Sequence, residues 1–248
     1  MKRLLVLIAV AAAVVWVTGC QTIFGPPSAE AIFEKMENAT DPGHKLPSVK
    51  TSVFAYNASP NNKEKSELTV SIKSPSRIRF EFKDPAGTDV ICYDGKNGWE
   101  YDSSAGVRPI GGKELEDLKF QAVYLAPDSR TKDIFSKTVL NGSEDVDGED
   151  CWKLTGYPPA GFDVHPVIVY IGKERNLLVK TIEQQDNGQN GTEPVTTLFR
   201  NYKLSDGVMI PYTVVTRSGD LTITSELTSI KWNPELSDSL FAKPQSAE

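Results

Sequence analysis

Two repeating patterns run along the chain and divide it into elements. Between Leu68 and Lys83 apolar and polar residues alternate singly. Leu68, Val70 and Ile72 stand against Thr69, Ser71 and Lys73; Ile78, Phe80 and Phe82 stand against Arg79, Glu81 and Lys83. A period of two belongs to half-buried strands, and the break at Lys73-Ser-Pro-Ser76 makes these two a hairpin. Thr88–Tyr93 and Trp99–Asp102 flank Asp94-Gly-Lys-Asn-Gly98 as a second hairpin. Further strands are expected at 136–143, 150–156, 166–172, 177–185, 194–203, 208–217 and 220–232, separated by turn signals such as Asp147-Gly148 and Asp206-Gly207.

The other pattern is helical. Ala29, Ile32, Phe33 and Met36 recur on one face, Ser28 stands at the N-cap position, and Asp41-Pro-Gly43 ends the run. This predicts an amphipathic helix over 29–39. A second is expected over 112–126, stopped by Pro127, and a short helical closure over Pro234–Phe241. About a dozen short strands with two helices give a mainly β (α+β) fold. A flat sheet of that many strands would curl. The expectation is therefore one strongly curved antiparallel sheet, a half-barrel with helices covering its concave face. No linker interrupts 29–241, so this stretch reads as a single domain, and 242–248 as a frayed tail.

The first twenty residues follow neither pattern. Met1-Lys-Arg3 is positive and Leu4–Val17 is an unbroken apolar run of 14 residues. That is shorter than the ~18 needed to span a bilayer, and it reads as a signal peptide over 1–19. The run ends in Val17-Thr-Gly-Cys20, the arrangement of a bacterial lipobox: small residues suit the signal peptidase groove, and the thiol accepts a diacylglyceryl group. Cys20 is thus the expected lipidation site and 20–28 a lipidated tether. Gln21, rather than Asp, follows the cysteine and favours the outer membrane, with the domain facing the periplasm.

Composition narrows the chemistry. The 248 residues carry a formal charge of −6, or −8 once residues 1–19 are set aside. An acidic chain has no general grip on nucleic-acid phosphates. Two histidines, His44 and His165, and three cysteines disfavour zinc sites and histidine triads. Asp145-Val-Asp-Gly148 lacks the frame of a calcium loop, and Gly106–Glu114 fails the P-loop spacing. No catalytic residue, metal site or cofactor is expected, and the chain reads as non-enzymatic. With Cys20 lipidated, Cys92 and Cys151 remain. In an oxidising compartment they either form one disulfide or stay as buried free thiols.

In order, Ala29-Glu-Ala-Ile-Phe-Glu-Lys-Met36, Ser76-Arg-Ile-Arg-Phe-Glu-Phe82, Tyr93-Asp-Gly-Lys-Asn-Gly-Trp-Glu-Tyr101 and the closing Leu236–Phe241 resemble the LolA/LolB-like superfamily of outer-membrane lipoprotein sorting. The resemblance implies a half-barrel whose apolar cavity takes acyl chains, lidded by helices. On that reading Leu68, Val70, Ile72, Ile78, Phe80, Phe82, Val90 and Trp99 line the cavity; otherwise they pack as a closed core. The lipid anchor makes the chain more like the receptor-type member than the soluble carrier. No residue in the sequence matches the arginine that latches the carrier's lid. The receptor-type member has a protruding apolar loop, and Phe162 in Tyr157-Pro-Pro-Ala-Gly-Phe162 is the candidate for a membrane contact. The implied partners are lipid or lipoprotein acyl chains and, through the anchor, the membrane. A monomer is expected. The alternatives are an envelope sensor or protein-interaction module on the same fold, and, less favoured, a hydrolase with dispersed carboxylates.

Overall fold

The computed structural model describes residues 25–61, 65–186 and 191–244. The signal segment 1–19, Cys20, residues 21–24 of the tether and residues 245–248 of the tail lie outside the described residues.

Helix α1 (Ala29–Thr40) precedes a meander of six strands: β1 (Thr51–Pro60), β2 (Ser66–Lys73), β3 (Arg77–Asp84), β4 (Gly87–Tyr93), β5 (Gly98–Asp102) and β6 (Gly106–Ile110). Helices α2 (Gly112–Tyr124) and α3 (Thr131–Ile134) then lead to a second meander of seven. Its strands are β7 (Lys137–Val146), β8 (Glu149–Tyr157), β9 (Val167–Gly172), β10 (Leu178–Asp186), β11 (Thr192–Ser205), β12 (Val208–Ser218) and β13 (Leu221–Trp232). The two meanders make one antiparallel sheet of 13 strands in the order β6-β5-β4-β3-β2-β1-β13-β12-β11-β10-β9-β8-β7. The first and last strands meet at its centre, and β6 and β7 are its free edges. The sheet is open, a curved half-barrel. Register slips at Ala55/Tyr56, Leu140/Ser143 and Leu178/Lys180 mark bulges that add local twist.

Both helices sit on the concave face for the reason their sequences suggest. Ser28 Oγ accepts from the Ala31 amide at 3.2 Å and caps α1. The stripe of Ala29, Ile32 and Phe33 buries against Phe135, Leu154, Val167, Val169 and Ile171. On α2, Leu118 and Ala122 bury against Val70, Ile72, Ile78, Tyr93 and Ile110, while Phe120 turns into the α1 cluster. Two glycines allow the close approach. A Cβ on Gly98 would stand 2.9 Å from Leu115 Cδ1, and one on Gly156 would stand 2.6 Å from the Phe135 ring.

The convex face has its own cover at one end. After a 3-10 turn at Asp238–Leu240, Phe241 inserts, fully buried, among Val90, Cys92 and Trp99. Trp99 Nε1 and Cys92 Sγ both donate to the Phe241 carbonyl, at 2.9 and 3.4 Å. Lys73 Nζ donates to the Leu236 carbonyl at 2.9 Å and to Asp238 at 2.6 Å.

Of the two fates open to Cys92 and Cys151, the structure has the free thiols, so the disulfide is corrected. Cys92 lies on β4 near one edge of the sheet and Cys151 on β8 near the other. Adjacent strands are ~4.8 Å apart, whereas a bridge needs Cα atoms within ~7 Å. Each thiol is buried in a separate cluster, and burial pushes Cys92 up to about 12 and Cys151 up to about 11.

Candidate functional site

The concave face is divided by its two helical covers. The α1 side closes over β8 and β9; the α2 side closes over β2, β3 and β4. Helix α1 also approaches β12 and α2 also approaches β10, and a strip of side chains on β1, β13 and β12 is left partly covered. Register sets its side chains in rows: Phe54 lies opposite Val70 on one side and Ile230 on the other, and Tyr56 lies opposite Leu68 and Leu227. Phe54, Tyr56, Tyr212, Ile230 and Trp232 all lie on this strip and all remain half-buried. The Phe54 ring meets Trp232 edge-on at 5.5 Å and stacks on Tyr56 at 6.5 Å. Surrounding apolar bulk pushes the Tyr56 hydroxyl up to about 12.

Six of the eight residues expected in the cavity share this face. Val70, Ile72 and Ile78 are buried under α2, and Leu68 and Phe80 are half-buried beside them. Phe82, opposite Leu68, is half-buried at the far end of the same row. Val90 and Trp99 are corrected. Val90 pairs with Glu81, and Trp99 with Cys92, so both point to the convex face, where Phe241 covers them. Alternation could not reveal this, because β4 is apolar on both faces: Val90 and Cys92 on one, Ile91 and Tyr93 on the other. Single-residue parity then says nothing about which set faces in.

Phe162 is also corrected. It is half-buried against Phe120, ring centroids 5.5 Å apart and edge-on, and it belongs to the cluster beneath α1. Its loop folds inward onto α2. The large hydrophobic side chain of this stretch that does reach solvent is Tyr157, 38% exposed.

Sequence reading missed the fastening of α1. Arg130 Nε donates to Glu37 Oε2 at 2.8 Å, a second guanidinium nitrogen bonds the same oxygen, and the Thr131 amide donates to Oε1 at 2.8 Å. One carboxylate thus ties the end of α1 to the start of α3. The signal was faint: Glu37 and Arg130 lie 93 positions apart. Beyond this tie Asp41 accepts from the Lys45 and Leu46 amides at 2.8 and 2.9 Å and fixes the chain leaving α1. A cleft of about 150 Å³ opens there among Met36, Leu46, Pro47, Pro127, Arg130 and Ile134.

A second opening, about 20 Å³, is water-sized and lined by both polar and apolar side chains. It lies between α2 and β10, with Asp117, Gln121, His165 and Glu183 around it. Burial, and then the charge of Asp117, push the Glu183 carboxyl up to about 7. Among the described residues no group of three or more His, Cys, Asp or Glu is placed to hold a metal ion.

No family model matches the chain. No curated protein matches it either. Solved structures do. A DUF1329 family protein from Desulfovibrio piger aligns at TM-score 0.60 and 15% identity, over 88% of this chain and 98% of that one. A LolA superfamily protein from Nitrosomonas europaea aligns at 0.58 and 16%, over 88% and 99%. A domain from Vibrio parahaemolyticus, classed with outer membrane lipoprotein-sorting proteins, aligns at 0.55 and 13%, over 85% and 94%. The chain has the LolA-like fold.

Proposed function

We propose that this chain is a lipid-anchored envelope protein that binds lipid or lipoprotein acyl chains on the concave face of its half-barrel, without catalysis or cofactor. The half-buried aromatic strip on β1, β13 and β12 carries this reading. A closed core would bury Phe54, Tyr56, Tyr212, Ile230 and Trp232; here an apolar surface stays only partly covered in the hollow of the sheet. A hydrocarbon chain covers such a surface without requiring any hydrogen bond. The cleft beside it, about 150 Å³, is of a size that takes a benzene ring. A whole acyl chain therefore needs the strip as well as the cleft. The likeness in fold to a domain classed with lipoprotein-sorting proteins supports the same reading.

Val17-Thr-Gly-Cys20 and Gln21 support anchoring at Cys20 and residence at the outer membrane, facing the periplasm. Two acyl chains or more on that cysteine would hold the protein stably, where one would not. The test is mass spectrometry of the full-length protein purified in an alkyl maltoside, followed by extraction of bound lipid. A stoichiometric acyl lipid beyond the covalent anchor is expected. Absence of such a lipid, with no uptake of an added fluorescent fatty acid, overturns the reading.

A further inference from the structure

Among the described residues, two buried polar atoms on the concave face have no hydrogen-bond partner: the hydroxyl of Ser52 and the indole Nε1 of Trp232. They are neighbours. Ser52 on β1 pairs directly with Trp232 on β13 and, on its other side, with Ile72 on β2. Ser52 is 0% exposed. Trp232 is held edge-on by Phe54 at 5.5 Å, with Lys45 Nζ 5.3 Å from its ring centroid. Leu46 packs on the same cluster and also lines the cleft at the end of α1. The orphan pair therefore lies on the aromatic strip, which Leu46 joins to the cleft, while neither Ser52 nor Trp232 lines the cleft itself.

An unsatisfied buried donor costs stability, and native structures rarely leave two side by side. The indole N–H can only donate, while the serine hydroxyl donates or accepts. An occupant that satisfies both presents an acceptor oxygen inside an otherwise apolar hollow. A bare hydrocarbon tail offers none, and a charged phosphate or carboxylate loses its hydration on entering. A neutral carbonyl at the root of a hydrocarbon chain meets both demands.

We infer that Ser52 and Trp232 form a carbonyl-binding pair for the acyl ester of a glycerolipid, setting how far the chain enters the strip. The inference rests on the proposed function and adds the part of the ligand that is recognised. Free glycerolipids and the diacylglyceryl group of a lipoprotein both carry this ester.

The test compares 1-palmitoyl-lysophosphatidylcholine with its 1-O-hexadecyl ether analogue, which lacks only the carbonyl oxygen. Equimolar competition on the full-length protein is read by native mass spectrometry in an alkyl maltoside. A diacylglyceryl-cysteine peptide, run against the ester, separates the two sources by which displaces the other. Wild type is expected to prefer the ester by roughly three- to tenfold, the range of one neutral hydrogen bond. Trp232→Phe keeps the ring and removes the donor; Ser52→Ala removes the hydroxyl. Each is expected to shrink the preference, and the double variant to abolish it while ether binding persists. Equal binding of ester and ether by wild type overturns the carbonyl site and leaves the proposed function standing. Binding of neither ligand overturns the proposed function itself.

Discussion

Glu37 shows how a single carboxylate can be both half-buried and ionised. Burial alone would raise its pKa, but the bond from Arg130 and the Thr131 amide outweigh that and hold it below the usual 4.5. An acid whose folded value is depressed stabilises the fold above its unfolded value. That contribution disappears as pH falls through the folded value. Glu37→Gln should therefore lower the melting temperature at pH 7, and by less at pH 3, because the carboxylate's contribution fades as pH falls towards and through its folded value. Arg130 is 42% exposed, so solvent screening limits the loss to about 1 kcal/mol. Thermal melts of both proteins at the two pH values check it; an equal deficit at pH 3 would assign the effect to shape rather than charge.

Among the elements, the C-terminal strap is the one with the clearest energetic signature. Phe241 is fully buried on the convex face, and its carbonyl receives both Trp99 and Cys92. Phe241→Ala should cost about 3–5 kcal/mol, the range for a large aromatic removed from a packed site. It should also make the Cys92 thiol reactive in the folded protein. Urea unfolding and thiol titration measure the two effects, and a variant that loses stability while Cys92 stays silent would mean the strap collapses onto the cavity. This strap also marks where sequence reading reached its limit. Leu236–Phe241 was legible as a closing helical turn, and the strands from Leu68 onward follow their alternation closely. Strand β1 was not legible: Val53-Phe-Ala-Tyr56 is apolar at every position and Asn57-Ala-Ser-Pro60 reads as loop. Val53 and Ala55 are apolar although they sit beside Ser71, Lys231, Thr69 and Ser229 on the outer face, so no alternation marks the strand. Edge strand β6, Gly106-Val-Arg-Pro-Ile110, lacked any period, and its Pro109 suits an edge. Apolar residues on both faces of β4 likewise hid the facing of Val90 and Trp99. The site was half legible for a related reason. The rows on β2 and β3 announce themselves, whereas Ser52, Tyr212 and Trp232 join them only through the long-range pairing of β1 with β13 and β12.

At the scale of the whole molecule, the titrating groups oppose one another. Asp128 is held low like Glu37: burial raises it, but Lys50 at 2.6 Å and Ser74 at 2.5 Å lower it further. Both carboxylates stabilise the fold at neutral pH, and that contribution is lost as pH falls from their ordinary values, 4.5 for Glu37 and 3.8 for Asp128, through their lower folded values. Glu183 has the opposite sign. Its folded pKa stands at about 7 against a usual 4.5. The folded chain keeps this proton where the unfolded chain has released it, so stability falls as pH rises from about 4.5 to 7 and levels off above. The two trends together place maximum stability on the mildly acidic side of neutrality. Glu183→Gln removes the second trend. It should leave stability near pH 5 almost unchanged, raise it at pH 8 by roughly 1–3 kcal/mol, and move the optimum towards neutral pH. Chemical denaturation at pH 4, 5, 6, 7 and 8 reads this directly. A wild-type profile that climbs steadily to pH 8, or a variant profile parallel to it, would show that Glu183 is ionised in the folded protein and that its pocket is wetter than its walls of Phe120, Val164 and Val167 suggest.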